Sequence, residues 1–175
     1  MRIELDQNEM IRAGMVGLRR QVESIVSKRE PQFPESRPAE MFSTHIIGAM
    51  AELAAAKALG LPWAGHINHF NQPDLTGYGL GIEVRWSGQP RTIKVKPADA
   101  GDLIVVLVTG QPPVFHVEHF TRARTAKAKV PAKSPRPGKP AHFLPIEEAH
   151  PIDLLVTYIQ ARAEAARAAV CGHPA

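Results

Sequence analysis

The 175-residue chain carries 21 Lys and Arg against 17 Asp and Glu, a net charge of +4, and 44% of its residues are apolar. That length and content suit one domain (1–175) with a sizeable core. No apolar run approaches the roughly 20 residues that span a bilayer, and the polar start does not read as an export signal, so a cytoplasmic protein without membrane attachment is expected. The single cysteine, Cys171, excludes an intramolecular disulfide framework and a cysteine-rich zinc site.

In chain order, residues 5–29 place Ile11, Met15, Leu18, Val22 and Ile25 at steps of four and three, the spacing of an amphipathic helix. The stretch "EPQFPESRPAE" then interrupts with three prolines. A second helix is predicted over residues 38–59, ended by Gly60 with Pro62 beyond. Three short strands follow. The first leads into Asp74, the second covers 81–86, and the third covers 102–109, "DLIVVLVT", whose unbroken β-branched run predicts a central strand buried on both faces. A fourth, "VFHVEHF", alternates after a "GQPP" turn. Residues 121–140 hold Arg122, Arg124, Lys127, Lys129, Lys133, Arg136 and Lys139 with no acid among them, and read as a helix start followed by an exposed loop. An alanine-rich helix over 152–170 closes the chain. This order predicts an α/β fold, a mixed central sheet flanked by helices. It divides into an N-terminal helix and linker (1–40), a core (41–130), and a basic loop with C-terminal helix (131–175).

The densest chemistry lies in "NQPDLTGYGLGIEVRWSG", residues 71–88. Glu83 and Arg85, two apart in a strand, share a face, while Ile82 and Val84 point into the core, and Trp86 joins them as packing. The glycines of "TGYGLG" let the chain reverse and bring Asp74 beside Glu83. Paired carboxylates repel unless a cation sits between them, and Mg²⁺ favours one or two carboxylates plus water and phosphate oxygens. Such an ion serves phosphoryl transfer by polarising phosphate and lowering the pKa of water. On the preceding helix, Glu52 has Gly48, Ala49, Ala55 and Ala56 as neighbours three and four residues away, so the helix is able to approach the sheet closely there.

Glu52 on a leading helix, then Pro73-Asp74, then Glu83-x-Arg85 on a hydrophobic strand, resembles the PD-(D/E)xK nuclease superfamily. The closest likeness is to small members encoded by phages and prophages, over residues 44–129. The resemblance implies a restriction-endonuclease-like core, with extra N-terminal and C-terminal helices here, and hydrolysis of DNA phosphodiester bonds with Mg²⁺ or Mn²⁺. It implies Asp74 and Glu83 as metal ligands, Arg85 in the place of the usual lysine, and Glu52 as an accessory acid. Arginine stays charged and cannot act as a base; metal-bound hydroxide, a lysine such as Lys94 or Lys96, or a loss of catalysis are the alternatives. DNA is the expected partner, with Arg91, Lys94, Lys96, Arg122, Arg124 and Lys127 as candidate phosphate contacts, and a homodimer is compatible with the sequence.

Plainer readings stand beside these. Asp74 suits a turn, Glu83 and Arg85 suit the solvent face of an edge strand, Glu52 suits a solvated helix face, and the basic run suits a solvated loop. His66 and His69 lack a third ligand for zinc. His116 and Glu118 alternate on one strand, and Asp99 and Asp102 flank the third strand as residues that end and start regular structure. The rival functions are a catalytically inactive nucleic-acid-binding module of the same fold, and a structural or interaction protein that assembles through its N-terminal helix.

Overall fold

A computed structural model describes residues 1–28, 38–67, 72–88, 91–134 and 139–171. His69 and Arg136 lie outside the described residues. Strand β1 (Arg2–Glu4) leads into helix α1 (Gln7–Val26), followed by α2 (Pro38–Leu59), β2 (Leu75–Gly77), β3 (Leu80–Trp86) and β4 (Thr92–Val95). Then come β5 (Ile104–Gln111), β6 (Val114–Arg122), α3 (Ala123–Lys129), β7 (His142–Pro145), a short 3-10 turn, β8 (His150–Pro151) and α4 (Ile152–Cys171). The fold is mixed α/β. Its main sheet runs β1-β6-β5-β3-β2, with β8 paired to β6, and only β3 and β5 are parallel. β4 and β7 form a second, two-stranded sheet. No described helix is long and apolar enough to cross a membrane.

As expected, β5 is central and buried on both faces: Ile104 to Thr109 are all buried. Its two faces feed separate cores. Ile104, Val106 and Val108 pack with Ile82 and Val84 under α2 and α4, while Val105 and Leu107 pack with Ile93, Val95, Leu144 and the α3 alanines. The prediction missed β1, β4, β7 and β8. These segments are only two to four residues long, too short for a periodic pattern to register. One predicted strand is corrected: β2 begins after Asp74 rather than leading into it, because the ladder with β3 starts at Leu75 opposite Ile82.

Helix α1 starts at a capping box, with Asp6 Oδ1 accepting from Glu9 N–H at 2.9 Å and Glu9 Oε2 accepting from Asp6 N–H at 2.8 Å. Its predicted apolar stripe exists but faces outward. Ile11 is 57% exposed, Met15 48%, Leu18 38%, Val22 47% and Ile25 55%. The buried face is instead made of small and polar residues, Ala13, Gly17 and Gln21. The reason is the closeness of α2: a Cβ at Gly17 would lie 2.5 Å from both the His45 carbonyl oxygen and the Ile46 Cα. Two helix backbones in contact leave no room for large side chains between them, so the large apolar residues occupy another face. Alanine suits α2 on the same ground, with Ala49, Ala51, Ala54 and Ala55 fully buried.

Gly17→Ala should therefore destabilise the protein by about 1–3 kcal/mol, because backbone rather than a flexible side chain must yield. Denaturant melts that show an unchanged or raised stability would contradict this packing.

Candidate functional site

The site is built around the β2–β3 hairpin. Its two-residue loop has Tyr78 at φ 51° and Gly79 at φ 74°, both left-handed as a type I′ turn requires. Continuing the Leu75–Ile82 register by one pair sets Asp74 level with Glu83, and Asp74 Oδ2 accepts a hydrogen bond from the Val84 N–H at 2.8 Å. Pro73 is held by the absence of a side chain at Gly81, where a Cβ would come within 2.8 Å of Pro73 Cγ. Proline and glycine thus fit together to aim Asp74 at β3. Asp74 is not a plain turn residue.

Glu83 and Arg85 share one face of β3, level with Val105 and Leu107 across the parallel ladder. β3 lies between β5 and β2, whose ladder reaches Ile82, and the side chains of Glu83 and Arg85 are only 17% and 15% exposed. The edge-strand reading is thereby corrected. The Arg85 guanidinium donates to Glu83 Oε1 and turns its other amino group toward Asp99, 3.4 Å from Oδ2. Asp99 Oδ2 also accepts from the Lys96 N–H at 2.8 Å. Asp99 belongs to the site, beyond the loop role read from sequence. Trp86 packs against the first core as expected, its indole donating to the Gly110 carbonyl at 2.9 Å.

Glu52 approaches from α2 and is 7% exposed, which corrects the solvated reading. Arg20 of α1 meets it fork to fork, NH1 to Oε1 at 2.5 Å and NH2 to Oε2 at 2.8 Å, and donates from Nε to the His66 carbonyl at 2.8 Å. The Trp63 indole adds a longer donor at 3.3 Å to Oε2. A buried bidentate pair of this kind is strong in geometry, and loss of one partner strands the other charge at a cost of about 3–5 kcal/mol. The sequence gives no local clue to Arg20, since its partner lies 32 residues away.

The electrostatics tie these groups into one cluster. Burial first, then the charges of Glu52 and Glu83, push the Asp74 carboxyl up to about 7, against the opposing pull of the Val84 N–H and Arg85. His45, seven residues before Glu52 on α2, is pushed down by burial and by Arg20, with Glu52 pulling the other way. Burial works against the Arg20 charge, yet Glu52 and Asp74 raise its pKa above the ordinary value. From Arg20 to Asp99 the edge of the sheet thus carries two cations and four carboxylates in one neighbourhood. Among the described residues, no group of three or more His, Cys, Asp or Glu side chains is arranged to hold a metal ion. Asp74 and Glu83 are thus left as a two-carboxylate candidate, a number that suits Mg²⁺.

The expected basic residues divide by position. Lys127 donates to the carbonyls of Pro97, at 2.7 Å, and Asp99, at 2.5 Å; it clasps the loop that carries Asp99. Arg91, Lys96 and Arg124 are exposed, and Lys94 is half-buried on β4. Arg122 ends β6, and two residues of α4 that sequence reading passed over, Tyr158 and Arg162, enter beside it through the Tyr158 phenol. Arg162 NH1 donates to the Tyr158 hydroxyl at 2.9 Å, and the Arg122 charge also acts on that phenol. The Arg162 hydrogen bond and charge first, then Arg122, push the Tyr158 phenol down. Arg162 also stacks 5.6 Å from the ring centroid and reaches the β2–β3 turn, where a Cβ at Gly79 would lie 3.3 Å from its NH2. The only signal available in sequence was the four-residue helical spacing of Tyr158 and Arg162.

A raised carboxyl pKa has a definite sign. Unfolded Asp74 loses its proton near pH 4, whereas the folded protein keeps it to about pH 7, so stability falls as pH rises between these values and is level above them. Asp74→Asn should abolish that slope and, at pH 8 in chelator, raise stability by on the order of 2 kcal/mol; a parallel pH profile for both proteins would refute the cluster. No family model, curated protein or solved structure matches this chain.

Proposed function

We propose that this chain is a metal-dependent deoxyribonuclease of the PD-(D/E)xK type, with a restriction-endonuclease-like core and Mg²⁺ or Mn²⁺ as cofactor. The observation that carries this reading is the buried Asp74 carboxyl, held up to about 7 beside Glu52 and Glu83. Fully ionised, the cluster sets four carboxylates against two guanidinium groups, and a divalent cation supplies the two missing positive charges. Asp74 and Glu83 would hold the ion. When bound, it polarises a phosphate oxygen and makes water acidic enough to act as a nucleophile.

The chain's own groups do the rest. Arg85 presents a guanidinium rather than an ammonium group and stands beside the acids, where it stabilises charge that grows on the phosphate. Asp99 and Glu83 hold its guanidinium in place. Glu52, pinned by Arg20 and Trp63, sets the field on Asp74. Arg162 donates to the Tyr158 phenol oxygen, the Arg122 charge acts on the same phenol, and neither arginine has a carboxylate partner among the described residues. Two like charges near one group favour an anion between them, and a backbone phosphate of the DNA fits.

A second reading is favoured by Arg85 itself. Its pairing with Glu83 and Asp99 leaves a permanent cation where the resembled nucleases place a proton-handling lysine, which suits a binding module without turnover.

Plasmid and single-stranded DNA should both be tried with Mg²⁺ and with Mn²⁺. Cleavage by the wild type, lost by at least a hundredfold in Asp74→Asn, is the expected result, the rate step typical of a lost charge-stabilising group. Cleavage of neither substrate with either metal would sink the enzyme. Independently, fluorescence anisotropy in chelator should show the Arg122→Ala/Arg162→Ala double variant binding DNA more weakly, with a log-log salt slope reduced by about 2. An unchanged slope would remove these two arginines from the DNA path.

A further inference from the structure

The chain has only two tyrosines, and both stand at one corner of the molecule, outside either core. Tyr78 sits at the tip of the β2–β3 hairpin, 41% exposed, with φ 51°. A bulky residue at positive φ is rare and strained, and a type I′ turn ordinarily takes Asn, Asp or Gly there. The fold gains no buried ring in return. Tyr158 lies on α4, 39% exposed, with Arg162 one helical turn further on. Arg162 joins the two tyrosines: its NH1 donates to the Tyr158 hydroxyl at 2.9 Å, and its NH2 lies 3.3 Å from where a Cβ of Gly79, the residue after Tyr78, would stand. Arg122 reaches the same corner from the sheet. It is level with Ile104 of β5, which is level with Ile82 of β3, so it emerges on the face that α4 covers.

We infer that this corner, Tyr78 and Tyr158 with Arg122 and Arg162, is a stacking platform for unpaired nucleotides, through which the carboxylate site receives single-stranded DNA. The choice of DNA as ligand rests on the nuclease reading above. In a duplex the bases stack on one another and offer only their edges in the grooves. An exposed ring finds no partner there, whereas an unpaired strand offers a flat face at every nucleotide. Guanidinium groups alone serve either form, since both carry phosphates. The tyrosines therefore decide the substrate class. Neither arginine has a carboxylate partner among the described residues, so the corner complements a chain that is both anionic and aromatic. The hairpin also sets a distance. Its tip lies four strand residues beyond the level of Asp74 and Glu83, about 14 Å at about 3.4 Å per residue, a span that a short extended run of nucleotides bridges.

Fluorescence anisotropy of the full chain in chelator, with labelled oligothymidylate and with a blunt duplex of equal length, tests the platform apart from any cleavage. Oligothymidylate should bind about tenfold or more tightly than the duplex, the worth of one or two stacked bases. Tyr78→Gly should weaken oligothymidylate binding about 5- to 100-fold without lowering the thermal unfolding midpoint, because glycine adopts the left-handed turn freely. Its log-log salt slope should stay that of wild type, which separates stacking from phosphate contacts. Tyr78→Phe should bind as wild type, and Tyr158→Ala should weaken oligothymidylate but not duplex. Equal affinity for the two forms, indifference of oligothymidylate to both Tyr78→Gly and Tyr158→Ala, or equal losses on both DNAs would each overturn the inference. Binding of neither DNA would overturn it as well and leave the corner to a protein partner. Single-strand binding through the tyrosines without cleavage would remove the nuclease and keep the platform; cleavage with no preference for unpaired DNA would remove the platform and keep the nuclease.

Discussion

The ion pair between Arg20 and Glu52 is the interaction on which the rest of the site depends. Two residues from different helices, both nearly sealed from water, hold each other at 2.5 and 2.8 Å. Neither charge tolerates burial alone. The pair fixes the roll of α1 against α2 and sets a negative charge where Asp74 feels it. The backbone contact at Gly17 is part of the same arrangement, since Arg20 lies one turn further along α1 and reaches Glu52 only because the helices touch.

The sheet converts this helical pairing into a site with two approaches. Glu52 belongs to the side covered by α2, whereas Glu83 and Arg85 belong to the side covered by β4, β7 and α3. Asp74 sits just before the edge strand β2, and its pKa responds to both Glu52 and Glu83. A position on the edge lets one carboxylate sense groups on either face. Lys127 and Asp99 show the same economy on the far side: the ammonium secures the loop and the loop's acid secures Arg85.

Much of this was legible in the sequence. The unbroken apolar run identified β5 as the centre of the sheet, and the two-residue spacing of Glu83 and Arg85 gave their shared face. The small residues around Glu52 were a sound indication of close packing, although the close partner proved to be α1 as much as the sheet. What escaped was of two kinds. Very short strands such as β4 and β7 owe their conformation to pairing with each other, and neither carries enough residues to display a period. Arg20, Asp99 and Arg162 earn their places through contacts distant in the chain or across a turn, and no local pattern encodes those. The direction of the α1 stripe was hidden for a related reason. Periodicity reveals that a helix has two unlike faces, but which one turns inward is decided by the neighbour, here a helix backbone that admits only small residues.

Helix α1 is consequently read from both sides. Leu18 stands on its outer face and Arg20 on its inner one, two residues apart on a single rigid rod about 10 Å across. Whatever shifts or rolls the rod shifts the guanidinium that steadies Glu52. The chain's outer surface and its buried charges therefore share one mechanical degree of freedom, and selection on either surface is felt at the other.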